Sequence, residues 1–518
     1  MPKWLDDAVF YEIYPQSFYD ANGDGIGDFE GVIQKLDYIS ELGCNALWLN
    51  PCFDSPFKDA GYDVRDYKKT APRYGTNEDL RRLFAEAHTR NIHVLLDLVP
   101  GHTSEEHPWF LESKKETPNE YWNRYIWTDT WFTWGADGMR FIAGEAPRNA
   151  SYIINFFKCQ PALNYGFLNP KEPWQQPANH PDALATREAL KDIMRFWLDA
   201  GADGFRVDMA DSLVKGDDDR KSGTSAVWRD VRAMLDASYP EAALVSEWSN
   251  PPLALNAGFH MDFLLDHAGG GYHSLMRDYQ LDAALRPFND NSFFKKDGDG
   301  DITRFLDQYL PWYESTNRLG YISLITGNHD TGRISGNLSN RELALAYALI
   351  FTMPGVPFLY YGDEIGMRYL YVPTKEGGYT RTGSRTPMQW NTGKNLGFSA
   401  AEPDTLYLPV DPRADAPTVE AQRNDPNSLL NTVKALLKLR RAEPDLRAKP
   451  NLEILYAEKK RLPFVYRRGN LVLAVNPGPV EAETALSLTG TPVYAIGSCS
   501  LKQGSCRMEA QSFGAWRL

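Results

Sequence analysis

Three carboxylic acids stand at the ends of three short apolar runs. Asp208 closes Gly204-Phe205-Arg206-Val207-Asp208, Glu247 follows Leu244-Val245-Ser246, and Asp330 ends Thr326-Gly327-Asn328-His329-Asp330. Acids so far apart in sequence can act on one bond only if the runs are strands whose ends meet, as they do on one face of a parallel barrel. Glycoside hydrolysis with retention needs such a pair: one carboxylate attacks the anomeric carbon while a protonated carboxyl, about 5 Å away, donates to the leaving oxygen. We assign Asp208 as the nucleophile and Glu247 as the donor. Arg206, two positions before Asp208, points to the same strand face, where its guanidinium would keep the aspartate ionised. Glu247 needs the opposite, a raised pKa from a partly desolvated site beside other acids, with Trp248 helping to exclude water. Taken singly, a strand-end acid reads as a helix cap or half of a core salt bridge, and Arg206 with Asp208 as a buried ion pair. The three acids together with His102, His329 and Arg206 reverse that reading.

Elements able to gather these residues follow in order along the chain. Apolar β-type runs at 9–14, 46–49, 93–97, 204–208, 243–247, 259–264, 321–325 and 356–361 alternate with helical patterns, the first a helix carrying Val32, Leu36, Ile39 and Leu42. Eight such units predict an α/β chain folded as a (β/α)8 TIM barrel. The connection after the third strand runs to about 100 residues, too long for a plain αβ loop, so an inserted subdomain is expected after strand 3. Trp122, Trp127, Trp131 and Trp134 crowd into it, as a platform for a sugar ring or as packing. Beyond the helical pattern of Leu429, Val433, Leu436 and Leu437, β-rich runs at 452–456, 464–466, 471–475 and 512–518 predict a C-terminal antiparallel β domain. The expected organisation is barrel over 1–101, inserted subdomain over 102–165, barrel again over 166–445, and a C-terminal β-sandwich over 446–518.

With 518 residues, 43% apolar and 24% charged, the chain has the composition of a globular protein with one large core. A net charge of −13 disfavours nucleic acid and anionic membrane surfaces as partners and suits a neutral small molecule. Met1-Pro2-Lys3-Trp4-Leu5-Asp6-Asp7 lacks the apolar core of a signal peptide, and no apolar run is long enough to span a bilayer, so a cytoplasmic protein is expected. The five cysteines have no metal-ligand spacing and read as reduced thiols; Cys499 with Cys506 is the one pair that export could join. No organic cofactor is expected, and the sequence does not fix the oligomeric state.

Gly61-Tyr62-Asp63-Val64, Asp97-Leu98-Val99-Pro100-Gly101-His102, Gly204 to Asp208, Ser246-Glu247-Trp248, Asn328-His329-Asp330 and Tyr360-Tyr361-Gly362-Asp363-Glu364 occur in that order. In these segments the chain resembles the α-amylase superfamily, glycoside hydrolase family 13, over nearly its whole length. Gln160-Pro161-Ala162-Leu163-Asn164 and Arg385-Thr386-Pro387-Met388-Gln389-Trp390 incline the resemblance toward its oligo-1,6-glucosidase, α-glucosidase and trehalose synthase branch. The resemblance implies that Asp330 binds sugar hydroxyls and supports the transition state, that His102 and His329 donate to the ring, and that Tyr62 stacks on it. It further implies that Asp63 accepts from a hydroxyl and pairs with Arg385 to close the pocket beyond one glucose, which means exo-action; a turn aspartate or a surface ion pair is the plainer alternative. Arg333 is expected either to orient Asp330 or to form a structural ion pair.

Asp20-Ala21-Asn22-Gly23-Asp24-Gly25-Ile26-Gly27-Asp28 spaces oxygen ligands at alternate residues, as a calcium loop does, but Gly31 stands where the closing glutamate would be. The resemblance implies one structural Ca²⁺ held by Asp20, Asn22, Asp24, Asp28 and the Ile26 carbonyl. Asp297-Gly298-Asp299-Gly300-Asp301 is a weaker copy, expected to be a solvated loop. Gly101 and Ala162 depart from the family's asparagine and acid, so a metal site or a subsite contact at the inserted subdomain is expected to be lost. Met209 leaves the linkage preference open. The expected activity is retaining cleavage of α-glucosidic bonds in short oligosaccharides by an exo-acting α-glucosidase. The alternatives are a transglycosylase or trehalose synthase-type isomerase, an endo-acting α-amylase or cyclomaltodextrinase, and, remotely, a non-catalytic sugar-binding or transporter-partner barrel.

Overall fold

A computed structural model describes residues 1–133, 138–282, 286–502 and 504–518. Its centre is an eight-stranded parallel sheet: β1 (Phe10–Ile13), β2 (Ala46–Leu49), β3 (His93–Leu98), β4 (Gly204–Val207), β5 (Ala243–Ser246), β6 (Met261–Leu264), β7 (Tyr321–Leu324) and β8 (Phe358–Tyr360). Phe10 of β1 registers with both Ala46 and Phe358, so the first strand lies between the second and the last. A parallel bridge between Ile325 and Phe358 closes the ring, helped by the Thr326 N–H donating to the Phe358 carbonyl at 3.0 Å. These are the eight runs expected from the sequence. Nearly every strand residue is buried, as a sheet covered by helices outside and filled by side chains inside requires.

The helices pack their apolar stripes on this ring. Asn77–Thr89 and Asn340–Thr352 each begin with a capping box, Thr76 with Asp79 and Ser339 with Glu342. Asn340–Thr352 is buried from Glu342 to Thr352, because Leu429–Ala442 and the C-terminal sheet cover the side turned away from the barrel. The single helix expected around Val32 to Leu42 is two, Phe29–Gln34 and Leu36–Leu42. The break is Lys35, which leaves helical geometry (φ −108°, ψ 4°) while its ammonium lies 3.9 Å and 4.4 Å from the ring centres of Tyr19 and Trp390.

Between β3 and β4 the inserted stretch carries an antiparallel pair, Arg140–Ile142 with Tyr152–Ile154, over a small core of Ile126, Ile153, Ala162 and Phe167. It is tied to the barrel rim by the Leu163 N–H on the Gly101 carbonyl at 3.0 Å and by the Tyr165 hydroxyl on the Pro100 carbonyl at 2.8 Å. Trp127 is core, Trp122 lies under the Arg148 guanidinium, and Trp131 stacks on Phe132. Trp134 lies outside the described residues.

Past Leu429–Ala442 the chain forms a five-stranded antiparallel sheet and a three-stranded one, which enclose Val465, Val472, Leu501, Met508 and Trp516. Ala482–Leu486, Thr491–Ile496, Cys499–Lys502 and Gly504–Met508 are strands that the sequence did not signal. In Ala482–Leu486 only Thr484 is buried, so no apolar alternation marks it. Asp301, expected in a solvated loop, instead caps the helix Ile302–Thr316 by accepting from the Thr303 N–H at 2.9 Å. All five cysteines are free thiols, and among the described residues no helix is long and apolar enough to cross a membrane.

Candidate active site

The carboxyl ends of β4, β5 and β7 deliver Asp208, Glu247 and Asp330 to one cavity of about 310 Å³. Backbone bonds extend the strands just far enough to aim the first two: Asp208 N–H on the Leu98 carbonyl (2.9 Å) and Glu247 N–H on the Val207 carbonyl (3.0 Å). Asp330 is set by a turn in which the Asn328 side-chain oxygen accepts from the N–H groups of Asp330 and Thr331 at 2.9 Å and 3.0 Å. Tyr62 and His102 also line the cavity, and Phe156, Met209, Trp248 and Leu265 give it an apolar portion.

One guanidinium serves three acids. Arg206, fully buried, donates from one nitrogen to Asp97 at 2.8 Å and Asp208 at 3.0 Å, and its other terminal nitrogen lies 2.9 Å from Glu247. Arg206 favours the ionised Asp208 expected from the sequence. Burial, with Asp97 and Asp330 nearby, outweighs Arg206 and lifts Asp208 to about 7. Burial lifts Glu247 further, to about 8, against Arg206 and with the help of Asp208 and Asp330. Glu247 holds its geometry through the Met209 N–H, 3.0 Å from Oε2, and Met209 adopts a left-handed φ of 41° to present it.

Asp330 is the low-pKa member. Burial alone would raise it, but the Arg385 and Arg381 guanidinium groups hold it well below the usual carboxylate range. Arg385 donates to Oδ1 at 2.8 Å and Arg381 to the same oxygen at 3.1 Å. Arg381 also reaches Asp59 at 3.2 Å, and Asp59 accepts from the Gln160 side chain at 2.7 Å. Asp63 and Arg385, the pair expected to close the pocket, do not meet; the aspartate and arginine that pair in the cavity lining are Asp59 and Arg381. The Asp63 carboxylate is fully buried and occupied by the Ser55 hydroxyl (3.0 Å) and the N–H groups of Lys58 (2.9 Å) and Asp59 (3.0 Å). It shapes the loop that carries Asp59, including Ala60 at φ 50° and Gly61 at φ 104°. Two aspartates four residues apart in one turn are indistinguishable by type, and so are Arg381 and Arg385; only the turn's hydrogen bonds decide which faces the cavity.

Neither imidazole offers the free donor expected of it. His102 gives its Nε2–H to the Tyr62 carbonyl at 3.0 Å while Asn155 approaches Nδ1 at 3.4 Å, and burial lowers its pKa to about 4. His329 is wholly buried, with Nδ1 2.8 Å from Glu12 and Nε2 2.6 Å from the Tyr62 hydroxyl. Tyr62 lines the cavity with its ring stacked on His329, centroids 5.5 Å apart. Arg333 pairs with Asp363 at 2.8 Å, which is the structural alternative. The described tryptophans of the inserted stretch do not line the cavity; from that stretch His102, Phe156 and Gln160 do. A side chain at Gly101 would collide with Asn155. Asn155 uses the room to accept from the buried ammonium of Lys215 at 2.9 Å, so a lysine contact stands where the two departures removed polar groups.

In the Asp20–Asp28 loop the side chains turn toward the loop's own amides. Asp20 accepts from the N–H groups of Gly23 (2.7 Å) and Gly25 (2.8 Å), Asn22 from Asp24 (2.9 Å), Asp24 from Ile26 (2.9 Å), and Asp28 from Ala21 (3.1 Å) and Gly31 (2.6 Å). Among the described residues no group of three or more histidine, cysteine, aspartate or glutamate side chains is arranged to hold a metal ion. Each carboxylate still has lone pairs beyond these bonds, so the oxygen-rich loop fits a hard cation.

Three comparisons bear on this geometry. The chain matches the Alpha-amylase family, described as the alpha amylase catalytic domain, over residues 12–449. It is 32% identical over 548 residues to the trehalose synthase/amylase TreS of Mycobacterium tuberculosis, covering 96% of this chain and 86% of that one. It is 30% identical over 552 residues to the oligo-1,6-glucosidase of Heyndrickxia coagulans, covering 92% of each. Among solved structures, the trehalulose synthase MutB of Pseudomonas mesoacidophila shares the fold over 100% of both chains, with a TM-score of 0.81 at 23% identity. An isomaltulose synthase of Erwinia rhapontici in complex with D-glucose gives 0.80 at 25% identity, covering 100% of this chain and 99% of that one.

Proposed function

Because the chain belongs to the α-amylase family, we propose that this α-glycosidase acts as a retaining, exo-acting α-glucosidase on short α-gluco-oligosaccharides. The observation that supports the exo reading is Arg381, whose guanidinium joins Asp59 to Asp330 in the cavity lining, a position from which it would close the pocket to a second sugar. Ionised Asp208 attacks the anomeric carbon as its bond to the leaving oxygen breaks, and Glu247 delivers its proton to that oxygen. A water then gives its proton to Glu247 and its oxygen to the anomeric carbon, releasing Asp208. Asp330, held by Arg385 and Arg381, stays anionic beside the positive charge that develops on the sugar. A structural Ca²⁺ in the Asp20–Asp28 loop belongs to the same proposal; alternate-residue oxygens with spare lone pairs support it.

The second reading is an isomerase that returns the released sugar to the glucosyl-Asp208 intermediate through another hydroxyl. The likeness to TreS and the apolar lining residues Phe156, Trp248 and Leu265 favour it. A time course on maltose, maltotriose, isomaltose, trehalose and a cyclodextrin, resolving anomers, separates the two. Early release of α-glucose from the linear sugars is expected; rearranged disaccharides point to the isomerase, and early opening of the ring overturns the exo reading.

A further inference from the structure

Glu12 sits in the middle of β1, wholly buried and not lining the cavity. We propose that it is a positioning residue: as the neutral carboxylic acid it donates to His329 Nδ1 and so fixes that imidazole with its proton on Nε2, aimed at the Tyr62 hydroxyl and Asp330. The positioning role rests on the glycosidase reading above; the tautomer does not.

A count of donors made from the cavity side leads there. Asp97 Oδ2 accepts from the Trp48 indole N–H at 3.0 Å and from the Tyr62 hydroxyl at 3.1 Å. Tyr62 has a single proton and gives it to that carboxylate, while its oxygen receives Arg206 at 3.4 Å. The 2.6 Å contact to His329 Nε2 then needs a proton on Nε2. A neutral imidazole so protonated has a bare Nδ1.

The count from the opposite side agrees. The Asn50 amide nitrogen donates to Glu12 Oε1 at 3.1 Å and lies 3.1 Å from His329 Nδ1, an approach that a second N–H at Nδ1 would oppose, which leaves the ring's single lone pair there to the 2.8 Å contact with Glu12. Turning the amide over would strand two buried N–H groups, whereas as placed only its oxygen lacks a partner. Nδ1 is thus an acceptor, and the proton in its 2.8 Å contact with Glu12 comes from Glu12. Glu12 Oε2 has no partner, a small penalty for a carbonyl oxygen and a large one for a charged one.

The surrounding charges point the same way. Glu12 faces His329, Arg206 and Asp97, with Tyr360 on the adjoining strand, and burial pushes its carboxyl well above the ordinary value despite Asn50 and Arg206. His329 faces Asp330, Arg385, Arg206 and Arg381, and burial pushes it well below, to the neutral form. A neutral Glu12 adds no further negative charge to a cluster that already shares one arginine.

¹⁵N-histidine spectra of the full chain test the tautomer, with the His329 signals identified by their loss in His329→Gln. A neutral, Nε2-protonated pattern between about pH 5 and pH 9 is expected; an Nδ1-protonated ring or an imidazolium overturns the proposal. Glu12→Gln keeps a donor for Nδ1 and the same charge, so kcat/KM is expected within about 3-fold of the parent, with both limbs of the pH profile unmoved. Limbs displaced to lower pH would show that a negative charge had been removed, and the proposal fails. Glu12→Leu keeps bulk but no donor; a folded variant is expected to lose roughly 10- to 100-fold in kcat, with the His329 pattern altered. Unchanged kcat there overturns the positioning role, and should Leu prevent folding, the spectra and the Gln variant still decide.

Discussion

Replacing Glu247 by Gln removes the proton donor and nothing of its size. A glutamate at its ordinary value would be protonated in about 0.3% of molecules at pH 7. Raised to about 8, Glu247 is protonated in roughly 90% of them, about a 300-fold gain in competent enzyme. With Asp208 at about 7, the form with Asp208 ionised and Glu247 protonated peaks near pH 7.5. The two values belong to the coupled pair, so kcat/KM should trace a bell that has fallen about 20-fold two pH units above its top. The assay is kcat/KM from pH 5 to 10 on maltose and on a p-nitrophenyl α-glucoside. In Glu247→Gln the maltose reaction should drop by about 10² to 10⁴, the aryl glucoside far less because nitrophenolate leaves without a proton, and the alkaline limb should vanish. An alkaline limb that survives, or equal losses on both substrates, would refute the assignment. The same shift has a stability sign. A carboxyl whose folded pKa is raised contributes stability below its unfolded value and loses it as pH rises through about 8, so the Gln variant should melt higher than the parent at pH 9.

On the exo reading, Arg381→Ala should open the pocket beyond Asp330: KM for maltose is expected to rise roughly 10-fold, and a maltoheptaoside blocked at its non-reducing end should be cleaved by the variant and not by the parent. Asp63→Ala leaves buried N–H groups without partners and should lower stability by about 3 kcal/mol, read by urea denaturation, with any loss of activity following from the Asp59 loop rather than from direct contact. Chelation by EDTA should lower Tm and added Ca²⁺ restore it, with Asp20→Ala losing the response; a Tm indifferent to both would remove calcium from the proposal.

The barrel was legible because its strands are buried on both faces, so each appears as an unbroken apolar run, and because strand-end acids are out of place unless they work. Side-chain direction within turns was not. Asp59 and Asp63, or Arg381 and Arg385, differ only in which loop amides and carbonyls claim them, and a spacing of four in irregular backbone has no fixed face. Residues on the smaller C-terminal sheet are half-exposed, as in Ala482–Leu486, so alternation is faint there. Glu12 was passed over for the opposite reason: within the apolar β1 run, nothing near it in sequence names its partners Asn50 and His329, 38 and 317 residues away.

The order in which the site is synthesised has its own consequence. All three acids precede residue 331, but the cations that hold Asp330 follow it by 51 and 55 residues, and β8, which closes the ring against β1, lies between. At about 5–20 residues per second, a ribosome needs several seconds to pass from the last acid to its arginines. During that interval the growing chain carries every acid of the reaction without the strand and guanidinium groups that assemble them. Competence therefore arrives only with the last part of the barrel, and an incomplete translation product cannot compete for substrate.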